Sequence, residues 1–183
     1  CWGYANENPL GIDYQAAFDL EFKKDITSQK KAIVEGVDLF EELHGYKADF
    51  FVPPNGPFNN SLEEIAASKG IKYMSASKIQ KEPQGQGKLK TKFHWLGQTN
   101  SFGQKYITRN CFFEPSDHSK DWISSCLSDI EMAFKYNKPA VISSHRVNFV
   151  GGLDNKNREF GNQQLAKLLE KNTSIKLFPK EEE

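Results

Sequence analysis

The sequence predicts an α/β fold with a mainly parallel sheet, because segments with helical spacing of apolar residues alternate with short apolar runs. The connections between these segments are short, which is typical of βα units. A chain of 183 residues with 38% hydrophobic residues also fits one domain and can bury a core. We therefore predict a single domain over residues 1–183.

The first predicted helix and strand precede a proline-rich turn. Apolar residues within positions 28–44 fall on one helical face, and Gly45 can end that helix. Residues 49–52 form an apolar run that predicts a short buried strand, and the two prolines at 53–54 end it. A helix followed by a strand is expected here.

The next helix is predicted from its start signal. Ser61 with Glu64 three residues later is a capping box, and Gly70 ends the apolar face that follows. Residues 71–74 then predict a strand, whereas residues 78–92 are rich in Gln, Gly and Lys and predict a long exposed loop.

The second half of the chain repeats the alternation. Ser119 can cap a helix whose apolar stripe, from Trp122 to Phe134, is the strongest in the sequence, and Pro139 follows it. The other predicted elements are extended segments at 93–96 and 106–113, a buried strand at 140–142, a helix at 158–171 and a strand at 175–178.

Composition limits the partners. Lysine plus arginine equal aspartate plus glutamate at 24 each, so no global field would draw the chain to nucleic acid. No apolar run approaches the length of a membrane span, about 20 residues, so none is predicted. Cys1, Cys111 and Cys126 indicate neither a disulfide framework nor a cysteine zinc site.

Two polar segments follow predicted strands, at the position where chemistry gathers in α/β folds. His145 with Arg146 follows the strand at 140–142, where the imidazole could transfer a proton and the guanidinium could hold an anion. In the turn at Pro54, Asn55 and Gly56, a backbone or side-chain amide could stabilise an oxyanion. A packed histidine and a simple proline-rich turn are the respective alternatives.

Other candidate residues could bind a sugar or could be structural. Asn148 follows His145 and could bind hydroxyl groups or form a polar turn. Trp95 with Tyr106 could stack on a sugar face or pack in the core. A structural role is predicted for His44 at a helix end and for His94 as an exposed strand residue.

The order of these motifs resembles the second half of the polysaccharide deacetylase family, the carbohydrate esterases that include chitin and peptidoglycan N-deacetylases. The resemblance is carried by the Pro-Pro-x-Gly turn at 53–56, the segment 69–73 that ends a helix and begins a strand, and the later strand ending in His145. It runs from about residue 28 to about residue 178. It implies a partial or deformed (β/α) barrel with a mainly parallel sheet.

The resemblance also implies roles for particular residues. The family's Arg-Pro-Pro-Tyr motif corresponds to residues 52–55, so that Asn55 occupies an oxyanion position and Val52 replaces the arginine. The Leu-x-His motif corresponds to residues 143–145, so that His145 is the general acid and Ser143 replaces the leucine. Asp121-Trp122 is similar to the Asp-Trp motif that orients the catalytic histidine, although Trp122 also fits a helix core.

The family's paired aspartates and His-x-x-x-His metal motif have no counterpart in this sequence, and we expect the metal-binding part to lie upstream. The resemblance implies hydrolysis of acetyl groups from a polysaccharide or oligosaccharide, with a divalent metal such as zinc whose ligands are not found here. It slightly favours an extracellular or cell-envelope location. The alternative is a non-catalytic glycan-binding or scaffold module. A half barrel would expose apolar strand faces, which a homo-oligomer could cover.

Overall fold

A computed structural model of the protein describes residues 17–152 and 154–173. The chain divides into two compact units between Thr108 and Arg109. Each unit contains parallel strands and an apolar core of its own. The single polysaccharide-deacetylase-like domain over residues 1–183 stays a prediction.

The first unit begins with a helix that confirms the apolar periodicity. A short 3-10 turn at Lys23–Asp25 leads into α1 (Ile26–His44), which turns Ile33 and Val37 into the core. The helix ends where Gly45 takes a positive φ of 73° and donates its N–H to the Glu41 carbonyl at 2.8 Å.

A three-stranded parallel sheet follows in the first unit. Its strands are β1 (Phe50–Phe51), β2 (Tyr73–Ser75) and β5 (Lys105–Ile107), in the order β1-β2-β5. Helix α2 (Glu63–Ser68) connects β1 to β2, as expected of a βα unit. The mixed α/β class and the mainly parallel sheet are therefore confirmed, whereas residues 17–152 and 154–173 form no closed barrel.

The prediction of an exposed loop at 78–92 is wrong. The chain there forms an antiparallel hairpin of β3 (Ile79–Gly85) and β4 (Lys88–Phe93). Gln86 and Gly87, with φ of +54° and +71°, supply the mirror-image backbone that tight hairpins need. The sequence pattern failed because the inward positions of β3 include Gln80 and Glu82, which are buried but polar.

The core of the first unit lies between the helices and the parallel sheet. His94, predicted to be exposed, is buried at 7% exposure because it packs on Tyr106, with ring centroids 4.0 Å apart, and its Nε2 lies 2.6 Å from Gln80 Oε1. The buried apolar residues of this core are Phe18, Ile33, Val37, Phe58, Leu62, Ala66, Ile71, Met74 and Tyr106.

The second unit has one pair of parallel strands and two helices. Strands β6 (Cys111–Phe112) and β7 (Ile142–Ser143) lie side by side, and α3 (Trp122–Lys135) connects them. Helix α4 (Asn155–Thr173) follows. The core of this unit comprises Cys111, Phe113, Ile123, Cys126, Ile130 and Leu168.

In both helices with a predicted cap, a nearby residue caps the helix instead of the predicted one. The side chain of Asn59, rather than Ser61, caps the turn before α2 by accepting from the Ser61 N–H at 3.0 Å. Asp121, rather than Ser119, caps α3 by accepting from the N–H groups of Ile123 and Ser124, both at 3.1 Å. Local sequence signals therefore identify the helices but not their first residues.

The remaining sequence predictions concern a C-terminal strand, the cysteines and membrane spans. The predicted strand at 175–178 and Cys1 lie outside the described residues. Cys111 and Cys126 are both buried, and burial raises the pKa of Cys126 to about 11. Within residues 17–152 and 154–173, no helix combines the length and the apolar character that crossing a membrane requires.

Candidate functional site

The candidate site lies where the two parallel strands of the second unit end. Glu114 follows β6 after one residue, and His145 follows β7 after one residue. The strands are joined beyond their last residues, since Phe113 donates its N–H to the Ser143 carbonyl at 2.9 Å and the Ser144 hydroxyl donates to the Phe113 carbonyl. This junction brings residues 31 positions apart in sequence into contact.

Glu114 and His145 form a hydrogen-bonded pair. Glu114 Oε1 lies 2.8 Å from His145 Nδ1, and the backbone N–H of His145 donates to both carboxylate oxygens at 3.1 and 3.2 Å. The Glu114 side chain is 19% exposed, whereas that of His145 is 74% exposed. A carboxylate at Nδ1 places the proton on that nitrogen in neutral imidazole and leaves Nε2 for an external group.

Asn148 completes the hydrogen bonding of Glu114. It lies in the 3-10 turn Arg146–Asn148, is fully buried, and donates from Nδ2 to Glu114 Oε2 at 2.7 Å. The same nitrogen also donates to the His145 carbonyl at 2.8 Å and lies 3.2 Å from the Ser144 hydroxyl. Asn148 was predicted to contact substrate, but its carboxamide is engaged with protein groups.

These hydrogen bonds set the charge state of Glu114. Burial acts to raise the pKa of the carboxyl group, but the hydrogen bonds from Asn148 and His145 outweigh it and hold the pKa of Glu114 below its ordinary value. Glu114 is therefore a carboxylate at neutral pH. Its negative charge can stabilise a protonated His145 imidazole.

The predicted oxyanion turn belongs to the first unit. Asn55 and Gly56 have φ of +55° and +98°, and the Gly56 N–H donates to the Pro53 carbonyl at 3.3 Å. Pro54 and Asn55 are exposed. The Gly56 amide therefore closes the turn itself, and the oxyanion role of Asn55 stays a prediction.

The two aromatic residues proposed for sugar stacking, Trp95 and Tyr106, differ in exposure. The Tyr106 ring lies in the first core, where its hydroxyl contacts Glu63, which confirms the core alternative for that residue. Trp95 is 62% exposed, and its backbone N–H donates to Gln98 Oε1 at 3.2 Å. Of the two rings, Trp95 alone presents a face to solvent.

The second unit contains three other residues for which a role was predicted, Arg146, Asp121 and Trp122. Arg146 is exposed beside His145, so its role toward a ligand stays a prediction. Asp121 caps α3, and Trp122 packs partly against the second core. The residue that pairs with His145 is Glu114, not Asp121.

Sequence reasoning missed Glu114. In the sequence Glu114 stands alone after the apolar segment 111–113, so it forms no paired-carboxylate motif. Its partner comes from another strand, so local spacing could not reveal the pair. The available signal was the strand end itself, since a single carboxylate there can meet a residue on the neighbouring strand.

The described residues do not provide the divalent metal site that the resemblance implies. Among residues 17–152 and 154–173, no three His, Cys, Asp or Glu side chains are grouped so that they could hold a metal ion. We therefore assign no metal ligand among these residues. Comparisons with protein-family models, curated proteins and solved structures found no match for the chain.

Proposed function

We propose that His145 is the general acid in the hydrolysis of acetyl groups from a glycan. The observation that carries the proposal is the 2.8 Å contact between Glu114 Oε1 and His145 Nδ1, combined with the exposure of the imidazole. The resemblance of residues 143–145 to the closing motif of polysaccharide deacetylases supports the same role.

The chemistry assigned to His145 is a single proton transfer. When water adds to the acetyl carbonyl, a C–O bond forms, the carbonyl π pair moves to the carbonyl oxygen, and the water releases a proton to solvent. The carbonyl then re-forms as the bond from that carbon to the sugar nitrogen or oxygen breaks. The bonding pair moves to the leaving atom, which takes the proton from Nε2 of the imidazolium. Glu114 stabilises the imidazolium through Nδ1 until that transfer occurs.

A divalent metal would supply the activated water, as the resemblance to the family implies. Among the described residues no ligand is assigned to it. A substrate contact by Arg146, beside His145, belongs to the same proposal.

Acetate release tests the proposal. The full chain is incubated with acetylated oligosaccharides and added zinc or cobalt, beside a His145→Ala variant and a His44→Ala control at the exposed end of α1. We expect release from the wild type and the control and a loss of about 10²–10⁴-fold in His145→Ala, the usual contribution of a general acid. Equal release from the wild type and His145→Ala would refute the role of His145, and release from none of the three proteins would refute hydrolysis by this chain.

A second candidate function is glycan binding without hydrolysis. The exposed ring of Trp95 favours it, because a flat aromatic face in solvent can stack on a sugar ring. Calorimetric titration with the same oligosaccharides would show binding that weakens in Trp95→Ala but persists in Tyr136→Ala, a control at another exposed ring. Binding unaffected by Trp95→Ala would refute this candidate.

A further inference from the structure

We infer that Asn148 is a positioning residue that fixes the imidazole of His145 by holding the carboxylate of Glu114, an inference that rests on the proposed function of His145. Asn148 has 0% exposure, so its polar atoms must find partners inside the protein. The partners that it uses include both members of the Glu114–His145 pair.

The geometry of the carboxylate explains how a buried amide can orient a distant ring. A carboxylate is planar, so fixing both oxygens fixes its rotation. Oε2 of Glu114 accepts from Asn148 at 2.7 Å, which leaves Oε1 facing His145 Nδ1 at 2.8 Å. Without Asn148, the carboxylate would keep the bonds from the His145 backbone N–H but could rotate away from the ring nitrogen.

Asn148 is in turn held from two sides. Its Oδ1 accepts the N–H of Ser116 at 2.9 Å, so both ends of the carboxamide are engaged. Gly161 of helix α4 lies against the Asn148 backbone, because an added Cβ at Gly161 would be 1.8 Å from the Asn148 carbonyl oxygen. Such an overlap cannot relax by a side-chain rotation, because the atom it meets belongs to the main chain.

The alternative is that Asn148 only satisfies buried hydrogen bonds. The two roles differ in their effect on His145, because a positioning residue controls which ring nitrogen carries the proton. With Glu114 held, neutral His145 carries its proton on Nδ1 and exposes a bare Nε2. With Glu114 released, the ring is expected to shift toward the Nε2–H form that a free histidine side chain prefers.

Nitrogen NMR of the full chain with ¹⁵N-labelled histidine distinguishes these roles. We expect the Nδ1–H form of His145 in the wild type and in Gly36→Ala, a control in α1 whose added Cβ meets nothing within 4 Å. Asn148→Ala should shift His145 toward the Nε2–H form. A folded Asn148→Ala protein with the wild-type tautomer would overturn the inference.

Two further measurements cover the case in which Asn148→Ala does not fold. In the wild type, the carboxamide protons of Asn148 should exchange with solvent far more slowly than those of an exposed asparagine, and exchange at the exposed rate would overturn the inference.

Gly161→Ala keeps every polar group but displaces the Asn148 backbone, so it should shift the His145 tautomer in the same direction. An unchanged tautomer in folded Gly161→Ala would count against the inference.

Activity separates this inference from the proposed function. If His145 is the general acid, Asn148→Ala should lower kcat for acetate release by about tenfold or more and change KM little, because misorientation acts on the reacting geometry. If no protein releases acetate, the proposed function fails. The tautomer and exchange results then still decide whether Asn148 positions His145.

Discussion

The hydroxyl of Tyr106 donates a hydrogen bond to the carboxylate of Glu63 at 2.5 Å inside the first unit. Both residues are buried, and Glu63 also accepts from Asn60 at 2.8 Å and from Asn100 at 3.0 Å. A buried carboxylate is tolerated only where such donors surround it. The cluster therefore links α2, the strand β5 and the loop at Asn100 through one buried carboxyl group.

Tyr106→Phe should destabilise the first unit while leaving the ring in place. The Glu63 carboxyl group would lose its shortest hydrogen bond, and removing a partner from a buried polar group typically costs about 1–3 kcal/mol. Tyr73→Phe, at a half-exposed position on β2, should change the free energy of unfolding by less than about 0.5 kcal/mol. Urea unfolding followed by circular dichroism measures both, and equal effects would contradict the assigned role.

Glu63→Gln should change the dependence of stability on pH. Burial raises the pKa of Glu63 despite the hydrogen bonds from Tyr106 and Asn100, so the folded protein holds this proton more tightly than the unfolded chain does. The resulting stabilisation is present below the ordinary glutamate pKa and is lost as the pH rises through the folded value. As the pH rises from the ordinary glutamate pKa through the folded value, the wild type should therefore lose stability relative to Glu63→Gln. Urea unfolding at a series of pH values would show this loss.

Glu114→Gln should have the opposite effect on the second unit. The pKa of Glu114 is lowered, since its hydrogen bonds outweigh its burial, so the carboxylate stabilises the fold above the ordinary glutamate pKa. That contribution is lost as the pH falls through the folded value. As the pH is lowered, the wild type should lose stability faster than Glu114→Gln in urea unfolding at a series of pH values. Parallel plots of unfolding free energy against pH for the two proteins would contradict the predicted direction of the effect.

Ile130→Ala should strongly destabilise the second unit. Ile130 is 1% exposed on the buried face of α3, and truncating such a side chain typically costs about 2–5 kcal/mol. Met132→Ala on the same helix is the matched control, because Met132 is 52% exposed and should cost less than about 0.5 kcal/mol. Similar urea midpoints for the two variants would mean that α3 does not pack as described.

Helical elements could be predicted because their apolar spacing is local. The buried residues Ile33 and Val37 in α1 fall on the face that the sequence indicates, as do Ile123, Cys126 and Ile130 in α3. The hairpin of β3 and β4 could not be predicted, because Gln80 and Glu82 occupy its inward positions and hide the alternation of a strand. Burial of polar residues there depends on partners elsewhere in the first unit, such as the Phe58 carbonyl that accepts from Gln80.

The candidate site was predictable in part for the same reason. His145 follows an apolar segment directly, so the sequence places it at a strand end. Glu114 and the bonds of Asn148 depend on how β6 and β7 pair, which is not a local property of either segment. Sequence reasoning therefore identified His145 but not Glu114, the residue that pairs with it.

The cap of α3 gives a last prediction, in which structure and sequence disagree about a single residue. Asp121 accepts from two N–H groups at the start of the helix, whereas Ser119, the cap predicted from sequence, donates its hydroxyl to Asp117 at 2.8 Å. Removing a cap leaves helix N–H groups without a protein acceptor and removes a negative charge from the helix N-terminus. Asp121→Ala should therefore lower the urea midpoint of the second unit more than Ser119→Ala does. The reverse order would restore Ser119 as the cap.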